Sequence, residues 1–507
     1  MHYIPWGLAL CATAVVAQQY QGNSIAGALP VVPGAEVAFF KIADPSGFND
    51  ELTLVNYYSH GTDGNRIVES KIQRVVIVIP GLLRDCNNYE NDMLNALKLA
   101  TAADANINVD SVAVMTTCFP NGNDKNYMYP WTDGLPAGQG SQSNALVWSG
   151  SQWAGGATNQ YPSSSTNISS FEVLDQLISY FDDTTVFPNM KQIVLAGHSL
   201  GGQMLQRYAA VSTASFTKPV TYWIGNPDSY AWLSTDRPLS TVGCPDYDHY
   251  RAGYTNYDSY AGGLQYGSSL VAAGREAILA NFNTKQIAYA RALLDHGDRS
   301  AACAPTATGA DRHERFFFYI SAFPPSCPDP ASSNCDTVDL VNASHDNGQM
   351  FQSPAGIARL FTDNFYGDRT RAYDFGYPRA QAGDDPYPNP AFAGTSGHTI
   401  TGNWNGWTYQ GCWTNQAPLT PLALPTLLYD NTGNSIEGCT SGCQGSGFAI
   451  AGLQNGTQCF CGNALSGQSA VLIVDGACRL PCPGNLGEVC GGYSRLSIFS
   501  AAFPAFE

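Results

Sequence analysis

The stretch Ala196-Gly197-His198-Ser199-Leu200-Gly201-Gly202 contains G-x-S-x-G between an apolar β-branched run and a helix-like one. A sharp strand-to-helix bend at that point lifts the Ser199 hydroxyl clear of its surroundings, and the flanking glycines relieve the crowding. The start of the following helix offers free N–H groups and a partial positive charge. This combination suits nucleophilic attack by Ser199 on an acyl carbon, with the Leu200 amide binding the developing oxyanion.

A serine hydroxyl is a poor nucleophile until a base takes its proton, and in this arrangement the chain order is serine, acid, histidine. His2, His60 and His198 come before Ser199, and His249 and His296 fall before or beside the candidate acids. His313 sits in the helix-like DRHERFFFYI and His398 in a linker-like stretch. His345 remains, on the polar loop Asn342-Ala343-Ser344-His345-Asp346 after the strand-like run 337–341. For the acid, Asp295 lies just past the strand-like run 286–292, with Asp298 and Asp228 as alternatives. Its task is to fix the His345 tautomer and stabilise the imidazolium. The second oxyanion donor is expected from the loop Pro80-Gly81-Leu82-Leu83-Arg84 after an early strand, at the Leu82 amide.

Short apolar runs alternate with helical spacing from residue 74 onward: RVVIVIPG, SVAVMTTC, QIVLAGH, VTYWIG and TVDLV, separated by helices at 89–100, 171–181 and 200–211. That rhythm predicts an α/β domain with a mostly parallel sheet covered on both faces. The runs 37–41 and 52–57 are expected as extra edge strands. Two long segments, 121–170 and 228–283, interrupt the pattern and are rich in aromatics, which predicts a substrate-facing role for them. The Pro/Gly/Asn-rich stretch around 381–404 reads as a linker. The expected organisation is a signal segment at 1–17, a catalytic domain at 18–380, a linker at 381–407 and a small cysteine-rich domain at 408–500.

The chain has 507 residues, enough for two or three domains, and its net charge of −17 opposes binding to nucleic acid or anionic lipid. The run from Tyr3 to Val16 with small residues before Gln18 fits a secretory signal and is too short for a membrane anchor. Of 15 cysteines, Cys11 lies in that segment, six lie between 86 and 335, and eight lie after 400. Even numbers in each group suit separately disulfide-bonded domains in an oxidising compartment, and Cys327 with Cys335 is positioned to close a local loop. Zinc is the rival reading for Cys439/Cys443 and Cys478/Cys482, opposed by export and by the Cys459-Phe460-Cys461 spacing. Neither a metal nor an organic cofactor is implied. Sequons stand at Asn167, Asn342 and Asn455; one so near His345 is expected to be unoccupied or to point away.

The pieces PGLLRDCNNY, SSFEVLDQLI, VLAGHSLGGQMLQRYA, GNPDSYAWL and HDNGQMFQSPAGIARLF, spanning most of 70–365, resemble the α/β-hydrolase superfamily, in particular secreted, largely fungal serine hydrolases. The resemblance implies Ser199 as nucleophile, His345 as base and an aspartate near 295 as acid. The loop after the early strand reads PGL, not the HGGG of many lipases and esterases. After the linker, Gly411-Cys412-Trp413, CTSGC at 439–443, AGLQ at 451–454, QCFCGN at 458–463 and CRLPCPGNLGEVCGGYSRL at 478–496 resemble a WSC domain, which implies carbohydrate binding. Tyr409, Trp413, Phe460 and Tyr493 are the candidates to stack on sugar rings or, alternatively, to pack against disulfides. The expectation is a secreted carboxylic ester hydrolase tethered to polysaccharide, with no membrane anchor. Lipase and peptidase or amidase action on the same triad are the alternatives, and a non-catalytic wall-binding protein is the alternative of another class.

Overall fold

The computed structural model describes residues 19–20, 29–44, 52–124, 145–162, 167–292, 294–295, 297, 302–323, 325–326, 336–341, 343–363, 406–415, 422–465, 470, 472–473, 478, 480–492 and 495–501. The signal segment, most of the linker, Asp298, Cys327, Cys335, Asn342 and Tyr493 lie outside them.

The large unit is built on nine strands: β1 (Gln19–Tyr20), β2 (Ala35–Lys41), β3 (Thr53–Ser59), β4 (Arg74–Ile79), β5 (Val112–Thr117), β6 (Gln192–His198), β7 (Val220–Gly225), β8 (Gln286–Ala292) and β9 (Thr337–Val341). They lie in the order β1-β2-β3-β5-β4-β6-β7-β8-β9. From β5 to β9 every pairing is parallel, whereas β1, β2 and β3 form an antiparallel edge. The period of two along each strand divides the apolar residues between two cores. In β4, Val75, Ile77 and Ile79 enter one core and Val76 and Val78 the other; in β6, Ile193 and Leu195 part from Val194 and Ala196 in the same way.

Helices α2 (Ser170–Asp182) and α3 (Leu200–Val211) cover the first face with Leu174, Leu177, Met204 and Leu205. Helix α1 (Cys86–Ala103) covers the second with Met93, Ala96 and Leu97. Ser169 starts α2 with a capping box closed by Glu172, so the chain leaves its preceding loop at a defined residue. This doubly covered, mostly parallel sheet is the α/β-hydrolase fold the sequence implies.

The two aromatic-rich segments bury several of their rings. Trp148 and Trp153 are fully buried, and both rings pack against Phe119. Tyr230, Tyr254 and Tyr257 are likewise buried in the large core. Burying such rings is worth more than exposing them, so these long connections supply core as well as surface.

The C-terminal unit is a six-stranded antiparallel sheet with Thr426–Asp430, Gln458–Gly462, Ile450–Gln454, Arg495–Ser500, Thr408–Thr414 and Leu472–Ile473 side by side. One helix, Ile436–Gly445, places Cys439 and Cys443 on one face, four residues apart. The strand Gln458–Gly462 places Cys459 and Cys461 on one face, two apart. The two spacings match, and the disulfides Cys439–Cys459 and Cys443–Cys461 fasten helix to sheet. Trp407, counted with the linker by composition, is 1% exposed in this unit's core.

Candidate active site

Strand β6 ends at His198, and Ser199 adopts φ 58°, ψ −120° before α3 begins. A non-glycine residue with this backbone is strained and persists only when its surroundings impose it. Two glycines make the bend possible. A Cβ on Gly197 would lie 2.4 Å from the Gly201 carbonyl oxygen, and one on Gly201 would lie 2.2 Å from the Ile79 carbonyl oxygen. The Ser199 N–H donates to the Gly225 carbonyl at 2.9 Å, which ties the bend to the end of β7.

The parallel register brings the carboxyl ends of β6, β8 and β9 to one edge, where ligands of such sheets bind. Asp295 follows β8 and His345 follows β9. His345 Nε2 lies 2.9 Å from Ser199 Oγ, and His345 Nδ1 lies 2.7 Å from Asp295 Oδ2. Three residues chosen from sequence thus form one hydrogen-bonded line. Asp346 does not hold His345; its side chain caps the helix Asn347–Gln352 at the Gln349 amide. Asp228, the alternative acid, is held by Arg312 and Arg315.

Asp295 is only 3% exposed and is gripped from behind. Arg312 Nη1 donates to its Oδ1 at 2.9 Å, and Arg291 Nη2 lies 3.4 Å from its Oδ2. Burial by itself would raise this carboxyl. The hydrogen bond from His345 and the charges of Arg291 and Arg312 outweigh it and hold Asp295 well below the usual carboxylate range. It is therefore ionised whenever His345 needs a partner.

Sequence reasoning set His198 aside because it precedes the nucleophile, yet its ring lies under that of His345, 4.9 Å between centroids. It is buried, with Nδ1 3.0 Å from the Tyr89 hydroxyl and Nε2 3.2 Å from Asn226 Nδ2. Asn226 Oδ1 accepts the Ala292 amide at 2.7 Å, so its amino group faces His198. The network then assigns Nε2 as acceptor and Nδ1–H as donor to Tyr89. Burial, then His345, pushes His198 well below its ordinary value and keeps it neutral. The available signal was its place beside the nucleophile. Arg291 and Arg312 were also missed; their only signal is basic residues near Asp295 in a chain poor in them.

The turn after β4 closes on Ser199: a Cβ on Gly81 would sit 3.3 Å from Ser199 Cβ. Among the described residues, neither the Leu82 nor the Leu200 amide has a protein acceptor, which leaves both N–H groups for a ligand. A cleft of about 380 Å³ opens beside them, lined by Leu82, Leu200, Arg207, Tyr250 and Arg251 among others.

In the C-terminal unit, Tyr409 and Trp413 are half-buried, Tyr409 packing on Phe499 and Trp413 donating Nε1–H to the Gln410 carbonyl. Phe460 is a correction: at 6% exposure its ring belongs to a small core with Leu424 and Ile498, so its face is not open to a sugar. Tyr493 lies outside the described residues. The Sγ atoms of Cys439, Cys443 and Cys459 lie together because two disulfides stack, and bridged sulfurs are not thiolate ligands.

The large unit is thus an α/β-hydrolase fold with a serine on its strand-to-helix elbow. The C-terminal unit is a WSC domain, whose family model matches residues 409–492. A Chaetomium globosum protein is 36% identical over 91 residues, 18% of this chain and 40% of that one. A WSC domain-containing protein of Arthroderma benhamiae is 33% identical over 95 residues, 18% of this chain and 10% of that one. The chain thus spans 40% or less of the length of these curated relatives. Among solved structures, the poly(3-hydroxybutyrate) depolymerase LpqC from Bordetella parapertussis aligns with TM-score 0.37 and 14% identity over 65% of this chain and 94% of that one. The siderophore hydrolase EstA from Aspergillus nidulans aligns with TM-score 0.31 and 10% identity over 65% and 95%.

Proposed function

We propose that this protein is a secreted serine hydrolase, a carboxylic ester hydrolase held on polysaccharide by its WSC domain. The observation that carries the reading is His345 bridging Ser199 Oγ and Asp295 Oδ2 within hydrogen-bond reach of both. Ser199 Oγ attacks the ester carbonyl carbon as His345 Nε2 takes its proton. The Leu82 and Leu200 amides bind the oxyanion. His345 then protonates the departing alcohol, and an acyl-Ser199 ester remains. Water, deprotonated by His345, cleaves that ester, giving the acid and free Ser199. Asp295 stays ionised throughout and holds the His345 Nδ1–H.

Esters are favoured over amides on the resemblance to the α/β-hydrolase superfamily alone. Disulfides in both units support an oxidising destination. Among the described residues, no helix is long and apolar enough to cross a membrane. The test is turnover of activated acyl esters and matched amides by the intact protein and by Ser199→Ala, with circular dichroism as the folding control. Ester turnover that vanishes in a folded Ser199→Ala supports the reading; turnover retained by that variant would overturn it.

A further inference from the structure

The cleft beside Ser199 carries charge that nothing in the reaction uses. Gln203 and Arg207, four residues apart, lie along one face of α3, which begins directly after Ser199. Arg207 is about two turns, roughly 12 Å of helix rise, beyond Ser199, and helical side chains lean back toward the N-terminus. Its Nη1 donates to the Ala154 carbonyl at 3.0 Å and its Nη2 to Gln203 Oε1 at 2.7 Å, while Nε is buried with no acceptor. Among the described residues, half-buried Arg251 hydrogen-bonds only to Ser151, at 3.3 Å to its carbonyl and hydroxyl oxygens, and lies over the Tyr260 ring. Among the described residues, neither guanidinium has a carboxylate partner.

The acids that line the same cleft do not neutralise them. Asp228 is held by Arg312 and Arg315, and Asp246 is exposed beside His249 at 3.4 Å. Burial, then the neighbouring Arg251, pushes Arg207 down to about 10, still cationic at neutral pH. In a chain with net charge −17, two arginines without carboxylate partners in the cleft that Leu82 and Leu200 also line are a built-in anion site. The cleft is lined by Leu82 and Leu200, on the oxyanion side of Ser199, and not by His345, which must face the leaving alcohol.

We infer that the acyl half of the substrate carries a carboxylate that docks on Arg251, with Arg207 beneath it, so the enzyme cleaves half-esters of dicarboxylic acids in preference to neutral esters. This rests on the hydrolase reading above and names the acyl class of that same site.

The test compares 4-nitrophenyl half-esters of glutaric, adipic and suberic acids with neutral acyl esters of equal chain length, using the full chain. The expected ratio of kcat/KM, acidic over neutral, is at least about tenfold for the best length and falls as salt is raised. Arg251→Met should collapse that ratio toward one and Arg251→Lys should restore part of it. The ratio cancels any general loss of activity. Equal or better turnover of the neutral esters, with a ratio indifferent to Arg251→Met, overturns this inference alone. No turnover of either series, with Ser199 inert to a fluorophosphonate, overturns the hydrolase reading and this inference with it.

Discussion

The two units hold their shape by different means. The large one buries a nine-stranded sheet between two apolar cores; of its described disulfides, Cys86–Cys118 ties the start of α1 to the end of β5 within one core, and Cys244–Cys303 joins two segments distant in sequence. The small one has two modest cores and four disulfides, among them Cys412–Cys478 and Cys482–Cys490. A unit of that size cannot bury enough surface to offset chain entropy, so covalent bridges replace burial. A large rigid core can also support strain, and the elbow at Ser199 with its backbone at φ 58° sits in that unit.

Breaking the charge cluster behind the base tests the large unit hardest. Asp295→Asn should lower kcat/KM on acyl esters by about 10⁴-fold, because His345 loses the partner that sets its tautomer. It also leaves Arg291 buried without its carboxylate, a cost on the order of 3 kcal/mol that denaturant titration would register. An Asp295→Asn enzyme with near-normal activity would show that the acid lies elsewhere.

Thiol reductant separates the units next. Each small-unit bridge is worth about 2–4 kcal/mol, so reduction should abolish that unit's calorimetric transition while the large unit keeps most of its own. Loss of both transitions together would mean the large core is less self-sufficient than its burial indicates.

A third expectation concerns Glu90, fully buried on α1 with Oε2 accepting the Thr116 hydroxyl at 2.7 Å and Oε1 unpartnered. Burial pushes its carboxyl up to about 8 from 4.5. The unfolded chain releases this proton near 4.5 and the folded one near 8, so its contribution is whole below 4.5 and is lost as pH rises to about 8. The large unit's transition should weaken across that window by up to a few kcal/mol, and Glu90→Gln should flatten the slope. An unchanged slope in that variant would assign the dependence to other groups. The smallest effect is expected from Trp413→Ala: weaker retention on insoluble wall polysaccharide with ester turnover intact. Unaltered retention would move the sugar contact off this ring.

The elements that place the site were readable because their residues answer to local rules. The β4 and β6 sequences RVVIVI and QIVLAGH are apolar on both faces, and chain order together with the helix-like setting of His313 and the linker-like setting of His398 selected His345. What stayed hidden depends on partners distant in sequence. Trp148 and Trp153 look like surface aromatics until Phe119 is known to cover them. His198 under His345, and Arg291 and Arg312 behind Asp295, are set by the stagger of strand ends, which no spacing reveals. Phe460 misled because cysteines flank it, whereas strand alternation turns its ring to the opposite face, into a core of its own.

The most direct measurement is stoichiometric labelling by a fluorophosphonate, mapped by peptide mass, on the intact protein and on His345→Ala. The account expects one adduct per chain, on the peptide that contains Ser199, and its near-complete loss in the variant. An unlabelled Ser199 in the folded native protein, or equal labelling without His345, would contradict it.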